Sequence, residues 1–216
     1  MSVSIQKTGV VNASGEVREN ILIGTHRPVI VKNSSVGTRE LKGLGADSGG
    51  NGTFSITTET NLPVGIYSFN VLNNTSGNRD YQQDQIPYVT GRKYTGSWWA
   101  KGEGQCLYRV WNCTKQSQPM GKQFTLTSNW TYYYHTFTAT QEMETDNCTF
   151  HLGVTGNASI YICGMKLEEG DYPTDWIPNI EDVDNLFVGS KSGFNEEIGN
   201  ASITSGYINA TEFIEY

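Results

Sequence analysis

Short segments that alternate apolar with polar residues, cut by turn-forming clusters about every 8–12 residues, run through the middle of this chain. Thr53-Phe54-Ser55-Ile56-Thr57 and Ile66-Tyr67-Ser68-Phe69-Asn70-Val71 are clear cases. Pro28-Val29-Ile30-Val31 precedes them, and further strands are predicted over 93–101, 106–113, 123–127, 130–140, 148–154 and 158–167. Period-two alternation with Gly, Asn, Ser and Thr between the segments leaves little choice of architecture. A Gly- and Ser-rich stretch, Gly43 to Gly52, reads as a loop, and Asn73 to Asn78 as a turn. No helical stretch is evident beyond one turn near 180–188. The prediction is all-β: an antiparallel β-sandwich of the jelly-roll kind, with short extended N- and C-terminal arms.

Composition supports this and removes several functions. The 12 Tyr, 8 Phe and 5 Trp supply the buried area that a sandwich of short strands needs. A formal net charge of −7 provides no basic field to displace counterions from phosphates, so nucleic acid is not an expected partner. No stretch reaches the roughly 18 apolar residues of a membrane span, so membrane insertion is not expected. The opening Met1-Ser2-Val3-Ser4-Ile5-Gln6-Lys7 lacks the apolar centre of a secretory signal. Folding in a reducing cytoplasm is therefore expected, with Cys106, Cys113, Cys148 and Cys163 as free thiols. Their spacing matches no paired metal-binding pattern.

Three zones organise the chain: an N-terminal arm over 1–19, a β domain over 20–180, and a C-terminal arm over 181–216. The arms resemble each other, Gly9-Val10-Val11-Asn12-Ala13-Ser14 matching Gly206-Tyr207-Ile208-Asn209-Ala210-Thr211. Neither arm can bury much of itself, so assembly or docking through strand pairing is their expected role.

Tyr94-Thr95-Gly96-Ser97-Trp98-Trp99-Ala100-Lys101-Gly102 resembles a strand of the carbohydrate-binding-module-like jelly rolls found in glycanases and phage tails. Leu107 to Trp111, Phe124 to Thr131 and Phe137 to Thr140 follow in the matching order. The closing run Met165-Lys166-Leu167-Glu168-Glu169-Gly170, with Pro173-Thr174-Asp175-Trp176-Ile177-Pro178-Asn179, resembles a signature of phage tail and minor structural proteins. Asn20-Ile21-Leu22 resembles the opening of such modules, and Gly206 to Glu215 the segments that link or end phage fibre modules. The resemblance implies two packed antiparallel sheets, one concave, with sugar often held across the concave face. It also implies a structural calcium in some members. Glu168 and Asp175 are acidic candidates here, but no loop dense in oxygen ligands accompanies them, so no cofactor or metal is expected.

Sugar recognition needs flat rings that stack on pyranoses and planar polar groups that bond hydroxyls in pairs. The family pattern turns Tyr94, Trp98 and Ala100 inward, and Cys106, Tyr108 and Val110 likewise. Trp99, Arg109 and Trp111 then point outward and are predicted to share one exposed, carbohydrate-binding face. Tyr132 and Tyr134 are further candidates from the run Trp130 to His135. Trp176 is expected to seal the base of the sandwich, and Asp80, Asp84 and Glu103 to be solvated loop charges. No catalytic residues are predicted: His26, His135 and His151 lie in unrelated segments, and no paired acidic motif of a glycosidase stands out.

The functional expectation is a non-enzymatic bacteriophage virion protein, fibre or tail-associated, made in the bacterial host cytoplasm. It would pair with other virion proteins and with itself, as a homotrimer by analogy with fibres, and touch host-surface or environmental glycans weakly. The alternative is a purely structural head-fibre or capsid decoration protein without a competent sugar site.

Overall fold

The computed structural model describes residues 17–25, 29–31, 43–47, 52–58, 61–65, 67–73, 76–179, 203–204 and 207–208. Most of both arms, and the turn considered near 180–188, lie outside the described residues. In chain order the strands are β1 Val29–Val31, β2 Gly45–Asp47, β3 Gly52–Thr58, β4 Tyr67–Asn73, β5 Asn78–Gln83 and β6 Lys93–Asn112. After them come β7 Ser117–Thr125, β8 Thr131–Thr138, helix α1 Gln141–Thr145, β9 Cys148–Glu169, β10 Ile203–Thr204 and β11 Tyr207–Ile208. Pairing is antiparallel except between β1 and β2, and β10 pairs with β11 by itself. The all-β jelly-roll expectation holds.

Two long strands generate the sandwich. The first half of β6 pairs with β8 and with the second half of β9, which in turn pairs with β4 and through it β3. The second half of β6 pairs with β7 and with the first half of β9, which pairs with β5 and through it β2. The first sheet is thus β3-β4-β9-β6-β8 and the second β2-β5-β9-β6-β7, with β6 and β9 passing through both. Trp98 and Tyr108 demonstrate the fold-over: their rings lie 5.3 Å apart, whereas a straight strand would separate residues ten apart by roughly 33 Å. The corner lies at Gly102 and Gly104, whose φ values of +150° and +90° fall where L side chains are strained. A side chain on Gly102 would also strike the Ser159 carbonyl, so the two long strands can touch at the bend only with glycine there.

This continuity corrects the sequence reading in several places. Predicted segments 93–101 and 106–113 are one strand of 20 residues, and 148–154 and 158–167 are one of 22. β5, of sequence NRDYQQ, was not predicted, because Tyr81 is its only apolar residue. β2 lies inside the stretch read as a loop, and α1 was missed as a five-residue helix with a single buried residue, Met143.

The inward face of β6 carries Tyr94, Trp98, Ala100, Cys106, Tyr108 and Val110, all essentially inaccessible, as the family resemblance implies. Tyr133 stacks on Trp98 from β8, and Phe124 meets Trp98 edge-on from β7. Tyr108 touches Phe137 and Phe150. Elsewhere in the core, Phe54 and Phe69 of the first sheet meet Tyr81 of the second edge-to-face. Burial of these rings, each worth several times a methyl group in area, supplies the core's stability. All four cysteines are free thiols. Burial raises the Cys148 thiol to about 11 and that of Cys106 further.

The opening and closing motifs act as structural anchors. Fully buried Asn20 donates to the Met165 and Ile177 carbonyls and accepts from the Leu22 and Leu167 amides. Buried Glu168 accepts from the Thr174 amide at 2.6 Å and hydroxyl at 2.5 Å, with the Lys166 ammonium 3.3 Å away. Lys166 donates to the Thr174 hydroxyl and the Asp175 carbonyl, and burial lowers its pKa although Glu168 opposes this. Segment 170–176 is thereby pinned over the outer face of the first sheet. Glu168, a calcium candidate in the sequence, is committed to this network instead. Trp176 is half-buried and donates from its indole to the Met165 carbonyl. Its ring flanks Gly164 beside Trp99, which places it on the outer face of the first sheet rather than at a sealed base.

Candidate functional site

The candidate residues divide between two faces. Because β6 folds over, an outward residue in its first half points away from an outward residue in its second half. Trp99 therefore lies on the outer face of the first sheet, and Arg109 and Trp111 lie on the outer face of the second. The expectation that these three form one platform is corrected: the family pattern identified the outward residues, but the corner at Gly102–Gly104 reverses the direction that outward means.

On the first sheet, Trp99 is paired in register with Tyr132, and their rings approach to 5.2 Å. Tyr134 follows at 6.4 Å from Tyr132 and is 53% exposed. Burial raises the Tyr132 phenol, against the effect of a hydrogen bond with Ser97. The Lys101 ammonium sits 4.8 Å over the Trp130 ring and 5.3 Å over that of Tyr161. This face is thus aromatic, but Trp99 is hemmed in by Trp176 and by Val64, which both close on Gly164.

On the second sheet the polar groups converge. Arg109 on β6 faces His151 on β9 in register, and Gln82 on β5 faces His151 from the other side. One Arg109 nitrogen donates to Asp80 Oδ2 at 2.7 Å, forming an ion pair whose side chains are 13% and 5% exposed. Asp80 is therefore a buried strand residue, not the solvated loop charge expected from sequence. His151 Nδ1 lies 3.2 Å from the same Asp80 oxygen, and its Nε2 lies 2.6 Å from the Thr149 hydroxyl. The guanidinium carbon of Arg109 sits 5.1 Å from the centre of the Trp111 ring, holding the indole at the edge of the cluster.

Asp80, Arg109 and His151 line a pocket of about 220 Å³ together with Phe54, Asn78, Arg79 and Gln82, and Trp111 lies outside its lining. It is smaller than the roughly 300–1,000 Å³ that encloses a drug-sized ligand, so it suits one ring or one edge of a chain. Three polar atoms around it lack an intramolecular partner although buried: Asp80 Oδ1, Arg79 Nε and Arg109 Nε. Leaving such atoms unpaired costs about 1–3 kcal/mol each, and the Tyr88 and Tyr108 hydroxyls in the core share that condition. Sequence reasoning found Arg109 and Trp111 through the strand motif. It missed Asp80, Arg79 and Gln82 because they sit on the unpredicted β5, and His151 because a lone histidine carries no spacing signal.

Among the described residues no group of three or more His, Cys, Asp or Glu could hold a metal ion. No helix of the described residues is long and apolar enough to cross a membrane.

A solved structure shares the fold, and two others align at lower scores. A sugar-binding protein of Bacteroides thetaiotaomicron, so described on a provisional basis, aligns with a TM-score of 0.54 at 9% identity, over 70% of this chain and 100% of that one. The CBM22-1 xylan-binding domain of Paenibacillus barcinonensis Xyn10C aligns at 0.47 and 11% identity, over 73% of this chain and 95% of that one. The enzymatically active domain of tailspike protein 4 of bacteriophage CBA120 aligns at 0.41 and 16% identity, over 56% of this chain but 19% of that one. No protein-family model matches the chain, and no curated protein matches it in sequence. The likeness to the Bacteroides thetaiotaomicron protein is one of fold, an antiparallel β-sandwich.

Proposed function

We propose that this chain is a non-catalytic glycan-binding module, displayed on a bacteriophage fibre or tail-associated structure, that makes weak multivalent contacts with host-surface or environmental glycans. The observation that carries the binding half is the second-sheet pocket. There Arg109, held by Asp80, lines a pocket with His151 and Gln82, and its guanidinium sits against the Trp111 indole, which can stack on a sugar ring. Arg109 and Asp80 fix each other, so the donors and acceptors are set before a ligand arrives and little ordering entropy is lost. His151, held between Asp80 and Thr149, keeps the carboxylate in place.

The virion half rests on the sequence resemblance of the closing segment and of Gly206 to Glu215 to phage structural proteins. Assembly on the particle, with a homotrimer as the favoured state, raises weak single-site affinity through avidity. Synthesis in the bacterial cytoplasm fits the four free thiols. A second reading, a head-fibre or decoration protein without a sugar site, is favoured by one observation. The signature residues Lys166, Glu168, Thr174 and Trp176 all serve to pin the tail and none reaches the pocket. A glycan-array screen of the protein at high valency, with Trp111→Ala beside it, separates the two: the binding module retains glycans that the variant loses, and the scaffold retains none.

A further inference from the structure

The two sheets end side by side beyond β6, the first in β8 and the second in β7. Among the described residues each of these strands pairs with β6 alone, so one row of its backbone amides and carbonyls has no strand partner there. β7 carries Pro119 and Lys122, residues that blunt an edge against further pairing. β8, of sequence TYYYHTFT, runs for 8 residues without a proline, a glycine or a Lys, Arg, Asp or Glu. Burial and the Lys122 ammonium lower the pKa of His135, so it too stands uncharged at neutral pH. β3, the far edge of the first sheet, turns Thr53, Ser55 and Thr57 outward and exposes no large apolar side chain. β8 instead leaves Tyr134 53% exposed. On its inner side Tyr133 stacks on Trp98 and His135 meets Tyr108 edge-on, yet both are only half-buried, because the core is open along this edge.

We propose that β8 is a docking edge for a second copy of this chain, the two β8 strands pairing antiparallel about a twofold axis at Tyr134. In that register residues of the same face meet, as an antiparallel ladder requires. Tyr133 lies opposite His135 of the other copy, Tyr132 opposite Thr136, and Thr131 opposite Phe137. Pairs of aromatic with β-branched or aromatic residues stabilise a ladder, and no like charges face each other. The meeting of Tyr133 with the second His135 also covers the open side of each core. β8 supplies its own complement, and that self-complementarity names a second copy as the occupant. At about 3.4 Å per residue the 8 residues span roughly 27 Å, a single strand edge, which puts the contact among small, transient interfaces. It is separate from assembly through the arms and joins one assembled unit to another.

Sedimentation of the full chain at about 200 µM, where a contact of micromolar strength is formed, reads the mass. Wild type and Tyr134→Phe should each show at least twice the mass of Tyr134→Glu and of Tyr134→Lys, in which two like charges face across the axis. Tyr134 is exposed enough for these substitutions to leave the fold intact, as circular dichroism checks. An equimolar mixture of Tyr134→Glu and Tyr134→Lys should recover the wild-type mass, since opposite charges then meet. Equal masses for wild type and Tyr134→Glu overturn the proposal, and so does a mixture that stays at the mass of its components.

Discussion

Glu168 is the group whose removal should cost the most stability per atom. Its side chain and that of Lys166 are both wholly inaccessible, with 3.3 Å between the charged atoms. Truncation in Glu168→Ala strands the Lys166 ammonium in a low-dielectric site and leaves the Thr174 amide and hydroxyl without their acceptor. Breaking a buried pair from one side costs about 3–5 kcal/mol, a large part of the roughly 5–15 kcal/mol that holds a domain together. The pH dependence follows from the burial that already depresses Lys166. Losing Glu168 depresses it further, so the folded state binds fewer protons than the unfolded one over a wider range below the ordinary lysine pKa. Stability then rises with pH through that window, and the deficit of the variant should shrink as pH climbs toward about 10. Urea unfolding at pH 7 and pH 9.5, followed by tryptophan fluorescence, measures both effects. Adding Lys166→Met to Glu168→Ala should recover part of the loss, since the stranded charge is gone. A loss below about 1 kcal/mol, or strict additivity of the two changes, would refute the claim that the closing signature works as a buried electrostatic anchor.

Further outcomes follow from the same geometry. Gly96→Ala should destabilise by about 1–3 kcal/mol in urea unfolding, because its new carbon would lie 2.5 Å from the Tyr108 ring and hydroxyl. Tyr108→Phe should be neutral or slightly stabilising in the same assay, since that buried hydroxyl has no hydrogen-bond partner to lose. Asp80→Asn should weaken glycan binding about tenfold or more in calorimetric titration by releasing Arg109 and removing an acceptor. With iodoacetamide on native protein at pH 8, partly accessible Cys113 should label first, while buried Cys106, Cys148 and Cys163 stay unmodified until unfolding.

Alternation put Trp98 and Trp99 on opposite faces, as it did Tyr108 and Arg109, and the family resemblance chose which of each pair faces the core. The shape of the sites was not legible for a different reason. Whether Gly102 to Gly104 ends a strand or bends one depends on contacts with Ser159 and Ala158, more than fifty positions away. That single difference decides whether Trp99 and Trp111 share a face. β5 escaped notice because its outward residues, Asp80 and Gln82, are polar for the sake of the pocket, and its one core residue, Tyr81, shows no periodicity by itself. The residues that complete the candidate site were thus hidden by the chemistry that makes them useful there.

The central claim places glycan recognition on the second sheet, beside Arg109, and not on the aromatic face that carries Trp99, Tyr132 and Tyr134. Glycan-array binding of the multivalent wild type, of Trp111→Ala and of Tyr134→Ala, each checked for folding by circular dichroism, tests it most directly. The account predicts binding by the wild type and by Tyr134→Ala, and none by Trp111→Ala. Loss of binding in Tyr134→Ala with retention in Trp111→Ala would contradict it and move the site to the opposite face of the sandwich.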